Sequence, residues 1–304
     1  MNTLKFRNIA IPVAEQHNLE LINTKEINIF NKNLKISEPC NLNIFITSLC
    51  NNNCSFCINK DYSGTDIDDN KYYKALEKVL DELTDKDVEI TITGGEPTLK
   101  IDRFIKTMQM CRDRKLKCRT VSTTGIGLIE LYKNREVCQH MIENKFIHNI
   151  NISRMHYDEN KNNKIFKGKV LTNKEIEKLA YFFDLNNADM RLSCNIINNY
   201  IDSFDKVLKY VEFYDELGVK DVIFREIIGE NNIKMADIMK QSHDIEFIEN
   251  LEGETYKVKV YKYKNKLVKH YITKNKLDNK IINSLSLRNG RLRVGFGGET
   301  VWEL

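Results

Sequence analysis

Apolar residues in this chain alternate between two rhythms. Short apolar runs of strand type are separated by stretches with helical spacing. The first run, Leu42 to Thr47, reads as a buried strand. A helix follows over about 69–84, with Tyr72, Leu76, Val79, Leu80 and Leu83 on one face. Val88–Thr93 is the second strand, and Phe104, Ile105, Met108 and Cys111 mark the next helix face. Cys118–Thr123 is the third strand, with helical segments to about Phe146, and Ile147–Ser153 is the fourth. Tyr157–Lys169 is polar and reads as a loop. Thr172 with Glu175 then forms a capping box at the head of a helix. Met190–Ile197 is the fifth strand. Ser203 caps a helix carrying Phe204, Val207, Leu208 and Val211, and Gly218 ends it. Asp221–Ile227 is the sixth strand. Six strand–helix repeats imply an α/β fold of parallel strands joined by right-handed crossovers.

The two ends of the chain differ from this pattern. Glu26–Phe30 against Leu34–Ile36 predicts a hairpin near the start. After about residue 250 helical periodicity gives way to short alternating runs. Leu285–Val294 predicts a hairpin turning at Asn289-Gly290, a type I′ pair. Three segments result: an N-terminal extension over 1–40, the repeat region over 41–249 and a small C-terminal β extension over 250–304.

The chemistry sits in the loops after the first two strands. Cys50, Cys54 and Cys57 are spaced C-x3-C-x2-C on the loop leaving the first. Such loops are where α/β folds place their ligands. Three thiolates at this spacing can hold three irons of a [4Fe–4S] cube and leave the fourth iron open. The alternative is a structural zinc site completed by Cys40, although zinc ligands usually come as two short-spaced couples and no second couple exists here. The second strand ends in Gly94-Gly95-Glu96-Pro97. Two glycines let backbone approach a ligand closely, though an ordinary turn reads the same way.

Together these residues resemble the radical S-adenosylmethionine (SAM) superfamily. Its cluster motif is C-x3-C-x2-C, with an aromatic before the third cysteine as Phe56 is here, and its second motif is GGEP after strand two. The resemblance covers roughly residues 40 to 228. It implies a (β/α)6 partial TIM barrel with one [4Fe–4S] cluster and SAM as cofactors. Cys50, Cys54 and Cys57 would be the iron ligands, and Gly94, Gly95 and Glu96 would contact the SAM amino group. Ser153, Asn195 and Arg225, at the ends of strands four to six, are candidates for the rest of SAM, with Arg225 facing its carboxylate. His156 and Tyr157 are candidate donors of a proton or hydrogen atom to a substrate radical, against a plain polar loop. A reducing protein such as flavodoxin or ferredoxin would supply electrons.

Composition narrows the context. The 304 residues suffice for one large α/β domain with appendages. Eight cysteines, three in one cluster, argue for a metal site in a reducing compartment over disulfides. Cys111, Cys118 and Cys194 read as core residues. No cysteine follows Cys194, so the auxiliary clusters some family members carry near the C-terminus have no ligands here. Mean hydropathy is −0.46, no apolar run reaches membrane length, and the first residues lack a secretory pattern, so the expectation is a cytoplasmic enzyme. A net charge of +4 with mixed signs gives little support for a nucleic-acid groove. Tyr256–Lys280 is the exception, readable as a solvated strand face or as a patch for an anion. Three functions stay open: a radical enzyme acting on a small metabolite or nucleotide-like substrate, one modifying a ribosomal peptide or protein, and a non-catalytic metal-binding module.

Overall fold

The computed structural model describes residues 23–57, 59, 66–147, 149–227, 233–252, 256–273 and 281–304. Residues 1–22 of the N-terminal extension and 274–280 of the Lys-rich stretch lie outside these. Strands β1 (Thr24–Ile29) and β2 (Lys32–Phe45) form the N-terminal hairpin. Helix α1 (Asp69–Leu83), β3 (Val88–Thr93), α2 (Ile101–Asp113) and β4 (Lys117–Thr123) follow. A two-rung ribbon of β5 (Leu131–Tyr132) and β6 (Arg135–Glu136) leads into α3 (Val137–Glu143). Then come β7 (Asn149–Ser153), α4 (Glu159–Phe166), α5 (Asn173–Leu185), β8 (Asp189–Ile196), α6 (Phe204–Glu216) and β9 (Asp221–Glu226). After α7 (Met235–Met239) the chain is β: β10 (Glu246–Glu252), β11 (Tyr256–Tyr263), β12 (Lys266–Thr273), β13 (Ile282–Arg288), β14 (Arg291–Val294) and β15 (Thr300–Glu303).

The six expected strands are β2, β3, β4, β7, β8 and β9, each hydrogen-bonded in parallel to the next. The Thr172–Glu175 capping box opens α5 as expected, and Gly218 sits at φ +80° after α6. Two local readings change. Ser203 stands at the N-cap of α6, but its hydroxyl caps nothing and the first amide instead donates to Gln241. The stretch read as a polar loop contains α4, whose N-cap Asp158 accepts from the Lys161 amide. The helix buries only Asn162, Ile165 and Phe166, too few positions to set a visible apolar rhythm.

The C-terminal residues are not one extension. The β10–β12 meander joins the sheet at β9, whereas β13–β15 join at β2, on the opposite edge. β12 pairs in parallel with β9, and β13 with β2. Eight neighbouring strands from β12 to β13 therefore run parallel. β2 continues unbroken through residue 40, and β10 spans residue 250, so the expected divisions at 40/41 and 249/250 fall inside strands.

The sheet is curled. β4 and β11 are five steps apart in the strand order, about 24 Å if flat. Yet the Arg119 guanidinium of β4 lies 5.3 Å from the centre of the Tyr256 ring of β11. The two faces divide the residues by polarity. Ile150 and Ile152 of β7, and Leu192 and Cys194 of β8, are buried in the core shared with the helices. Asn149, Asn151 and Arg191, on the alternate positions, line a cavity inside the curl. Asp221 of β9 ties three strands there. It accepts from Arg191 Nε at 2.6 Å and from Lys269 Nζ at 2.7 Å.

Two glycines bring the exits of β2 and β3 together. A Cβ on Gly95 would stand 2.1 Å from the Leu49 carbonyl oxygen, and one on Gly94 2.7 Å from that of Thr47. In the gap they leave, the Gly95 amide donates to Thr47 O and the Glu96 amide to Leu49 O, both at 2.8 Å.

Two outcomes are expected. Gly95→Ala must push the Leu49 backbone away, lowering the melting temperature and increasing amide exchange at 47–50 and 95–96. Asp221→Asn leaves Arg191 and Lys269 without their buried counter-charge, at a cost of about 3 kcal/mol in urea unfolding. Burial alone would raise the Asp221 pKa, but Arg191 and Lys269 outweigh it and hold the carboxyl below its ordinary value of 3.8. Its contribution is thus complete above that value and lost as pH falls through the lower folded one. The wild-type loss of stability on acidification should be shallower in Asp221→Asn.

Candidate functional site

The cysteine loop leaves the C-terminal end of β2, where parallel α/β sheets gather their ligand sites. Its base is fixed by buried polar bonds. The Thr47 hydroxyl and the Ser48 amide both donate to Asp66. Arg103, 3% exposed on α2, donates to Ile46 O at 2.9 Å, lies 3.5 Å from Asp66, and is also bonded to Asp69. Asn59 at the far end of the loop donates to Gly94 O at 3.0 Å. From the other side the β13–β14 turn reaches in, Arg288 Nε lying 3.2 Å from Ser48 Oγ. Its Asn289 and Gly290 have the two positive φ angles of a type I′ turn.

Within the loop, Cys50 is exposed, Cys57 half-buried and Cys54 buried. Cys54 packs with Met155, Ile165, Phe166 and Val170. The last turn of α4 grips this stretch: Phe166 O accepts from the Asn53 amide at 2.9 Å, and its ring meets Phe56 edge-on at 6.0 Å. Among the described residues no three Cys, His, Asp or Glu side chains stand together at metal-bonding distance. The donor set nonetheless suits an iron–sulfur cluster. Amide hydrogens of Asn52 and Asn59 point at the sulfurs of Cys50 and Cys57, each at 3.4 Å, and such bonds steady sulfur ligands. Burial, together with the nearby Glu96 and Cys57, raises the Cys50 pKa, while the Asn52 amide lowers it. Two thiols and the GGEP carboxylate thus share one neighbourhood. Both polar atoms of the Asn52 side chain are buried without a partner in the same loop. Cys40 is remote: it stands five residues before the end of β2, about 17 Å of strand away, beside Ile282 O.

The Glu96 carboxylate is occupied within the protein. The residue is fully buried, and its carboxylate accepts five hydrogen bonds: from the amide and hydroxyl of Thr98, the hydroxyl of Thr123, and the amide and hydroxyl of Thr124. The side chain locks the exit of β3 to that of β4.

Ser153, Asn195 and Arg225 do share the inner face. Ser153 is in register with Ser193, and two residues on Asn195 is opposite Arg225. The Arg225 guanidinium lies over the Tyr271 ring, 4.0 Å from its centre. His156 and Tyr157 lie elsewhere. Tyr157 packs against Phe213 and Lys209 of α6, in the outer layer. His156 is fully buried, and its Nδ1 accepts from the Asp158 amide. Burial, with help from Lys161, drives its pKa down to about 4, so the ring is neutral. Nδ1 of His156 thus serves the turn into α4, while its Nε2 is buried without a partner. Cys111 and Cys194 are buried core residues, and burial drives both thiols well up. Sequence reasoning missed Asp66, Arg103, Asn59 and Phe166. A cation on an otherwise apolar α2 face was the one available signal for Arg103.

The comparisons agree with this geometry. The family model for the radical SAM superfamily matches residues 44–197. A probable GTP 3′,8-cyclase of Methanococcus aeolicus is 26% identical over 59% of this chain and 58% of its own. An uncharacterized protein of Methanocaldococcus jannaschii is 31% identical over 24% of this chain and 25% of its own. The chain thus spans under two thirds of each of these relatives. In fold it is similar to SuiB of Streptococcus suis bound to S-adenosylmethionine, with a TM-score of 0.51 and 21% identity over 67% of this chain and 43% of that one. With the family model covering both the cysteine loop and GGEP, on a sheet that places them side by side, the chain belongs to the radical SAM superfamily.

Proposed function

We propose that this protein is an enzyme that holds one [4Fe–4S] cluster on Cys50, Cys54 and Cys57 and cleaves SAM reductively to act on a small organic substrate. The observation that carries the reading is the junction of the cysteine loop with the GGEP turn, through Gly95 against Leu49 and Asn59 on Gly94, at the C-terminal ends of parallel strands. When bound, the cluster and SAM together supply a 5′-deoxyadenosyl radical able to take hydrogen from an unactivated C–H bond.

The chain's own residues bind, orient and shield. The three thiolates hold iron, and the amides of Asn52 and Asn59 steady two of the sulfurs. The backbone of Gly94–Glu96 receives the SAM amino group, while Glu96 keeps that turn rigid through its five bonds. Ser153 and Asn195, on the inner face near the strand ends, offer polar contacts to the rest of SAM. Met155, Phe166 and Val170 pack about Cys54 and exclude water from that ligand. A one-electron donor such as a flavodoxin or ferredoxin completes the requirement.

A second reading is modification of a peptide. It is favoured by the outer strand β10, which has no partner beyond it among the described strands and exposes Phe247 and Ile248. Such an edge can pair with an extended chain. SuiB of Streptococcus suis bound to precursor peptide SuiA, similar in fold at a TM-score of 0.51, shows a related fold holding one.

Anaerobic reconstitution with iron and sulfide, followed by dithionite and SAM, is expected to give about four irons per chain and slow release of 5′-deoxyadenosine. Cys54→Ala should lose the cluster absorbance and this release while keeping its far-UV circular dichroism. Full cluster content in that variant would sink the ligand assignment, and zinc in place of iron would point to a metal-binding module instead.

A further inference from the structure

Inside the curl lies a partly open cavity of about 70 Å³. It draws on β4, β7, β8 and β9, and on the β10–β12 meander, whose Leu251, Tyr256, Val258 and Tyr271 form one side. Three of its lining residues, Arg119, Arg191 and Arg225, are arginines, and none is acidic. Two carboxylates lie near them, Asp221, already bonded to Arg191 and Lys269, and Glu89 of β3, whose charge acts on Arg119 and Tyr256, so that four cations face two anions. A buried space with this balance favours a negative guest.

Three polar atoms of the wall await a guest, two of them donors suited to an anion and one, Asn151 Oδ1, an acceptor that asks for a hydroxyl or amine elsewhere on the same molecule. Arg225 Nε, Asn151 Oδ1 and the Tyr256 hydroxyl are buried without a hydrogen-bond partner, and Tyr256 as a whole is only 7% exposed. Buried polar groups are nearly always satisfied, so three orphans on one cavity mark a missing ligand. The aromatic pair explains how the arginine is presented. Tyr271 stacks on Tyr256, with ring centres 5.1 Å apart and planes 12° from parallel, and Arg225 lies over Tyr271. Stacking uses the face of the guanidinium and leaves its edge, where the donors are, for an oxyanion.

We propose that this cavity is the substrate site, and that it takes a small organic anion whose carboxylate or phosphate is held by Arg225 and the Tyr256 hydroxyl. Calling the guest a substrate rests on the radical SAM reading above, whereas anion binding stands apart from it. The depth suits the chemistry. Asn151 lies two residues below Ser153 on the inner face of β7, about 7 Å further in. A substrate anchored here presents the rest of its body toward the rim where the cysteine loop sits. Arg225 then serves the substrate, and the SAM carboxylate is left to other groups.

The test is calorimetric titration of the cluster-loaded protein, under anaerobic conditions, with inorganic phosphate and with succinate, against sodium chloride at matched ionic strength. Wild type should bind at least one of the two anions. Arg225→Gln should weaken that binding about tenfold or more, Tyr256→Phe several-fold, and the surface change Arg112→Gln not at all. Release of 5′-deoxyadenosine without substrate should stay within about twofold of wild type in Arg112→Gln. Preference for phosphate identifies a phosphorylated substrate, and preference for succinate a carboxylic acid. The proposal is overturned if neither anion binds, or if Arg225→Gln binds as wild type does. Should Arg225→Gln fail to fold, Tyr256→Phe, which removes one oxygen, carries the test. Absence of SAM cleavage in wild type beside intact anion binding would remove the radical reading and leave the anion site standing.

Discussion

Everything about the candidate site depends on how closely two strand exits approach. The backbone of Gly94-Gly95 passes so near Thr47–Leu49 that no side chain fits between them. In return, two amides that a turn would otherwise leave to solvent find carbonyl partners. Glu96 extends the brace by gathering five donors from the exits of β3 and β4. Arg103 and Asp66 hold the same junction from the helix side. A long loop carrying three cysteines is thereby given a rigid foundation, which a ligand site of defined geometry requires.

The second organising fact is the reversal of polarity across the strands. On β7 and β8 apolar positions face the helices, whereas asparagine, serine, threonine and arginine face the interior of the curl, beside Ile223, Leu251 and Val258. An interior of that kind cannot be closed by packing alone. It is held by specific pairs such as Asp221 with Arg191 and Lys269, and Lys269 comes from a strand that follows the six repeats. The C-terminal meander is therefore part of the barrel wall. It brings the tyrosines that shape the cavity and the stack that presents Arg225.

Strand order among the six repeats, the capping box of α5, the N-terminal hairpin and the Asn289-Gly290 turn were all legible, because each rests on residues close together in sequence. The three cysteines and GGEP were legible as a pair of motifs for the same reason. What was not legible depended on distant partners. That the Glu96 carboxylate braces two strand exits shows only with Thr98, Thr123 and Thr124 around it. His156 and Tyr157 looked reactive until α6 was seen to cover Tyr157 and the Asp158 amide to occupy Nδ1 of His156. Helix α4 escaped notice because its few buried positions set no period, although Asp158 was a cap in plain view.

The local pattern by itself determined that this chain builds parallel strands with intervening helices and that its cysteines sit on the loop after the first of them. Periodicity and spacing carry that much, since strand, helix and turn preferences act over a few residues. Only the tertiary structure decided that the C-terminal strands divide between the two edges of the sheet, and that Tyr256 and Arg119 meet though 137 positions apart in number. Curling of the sheet creates that contact, and with it a cationic cavity. No run of neighbouring residues encodes such an enclosure, because its walls come from seven strands brought together by twist and hydrogen bonding.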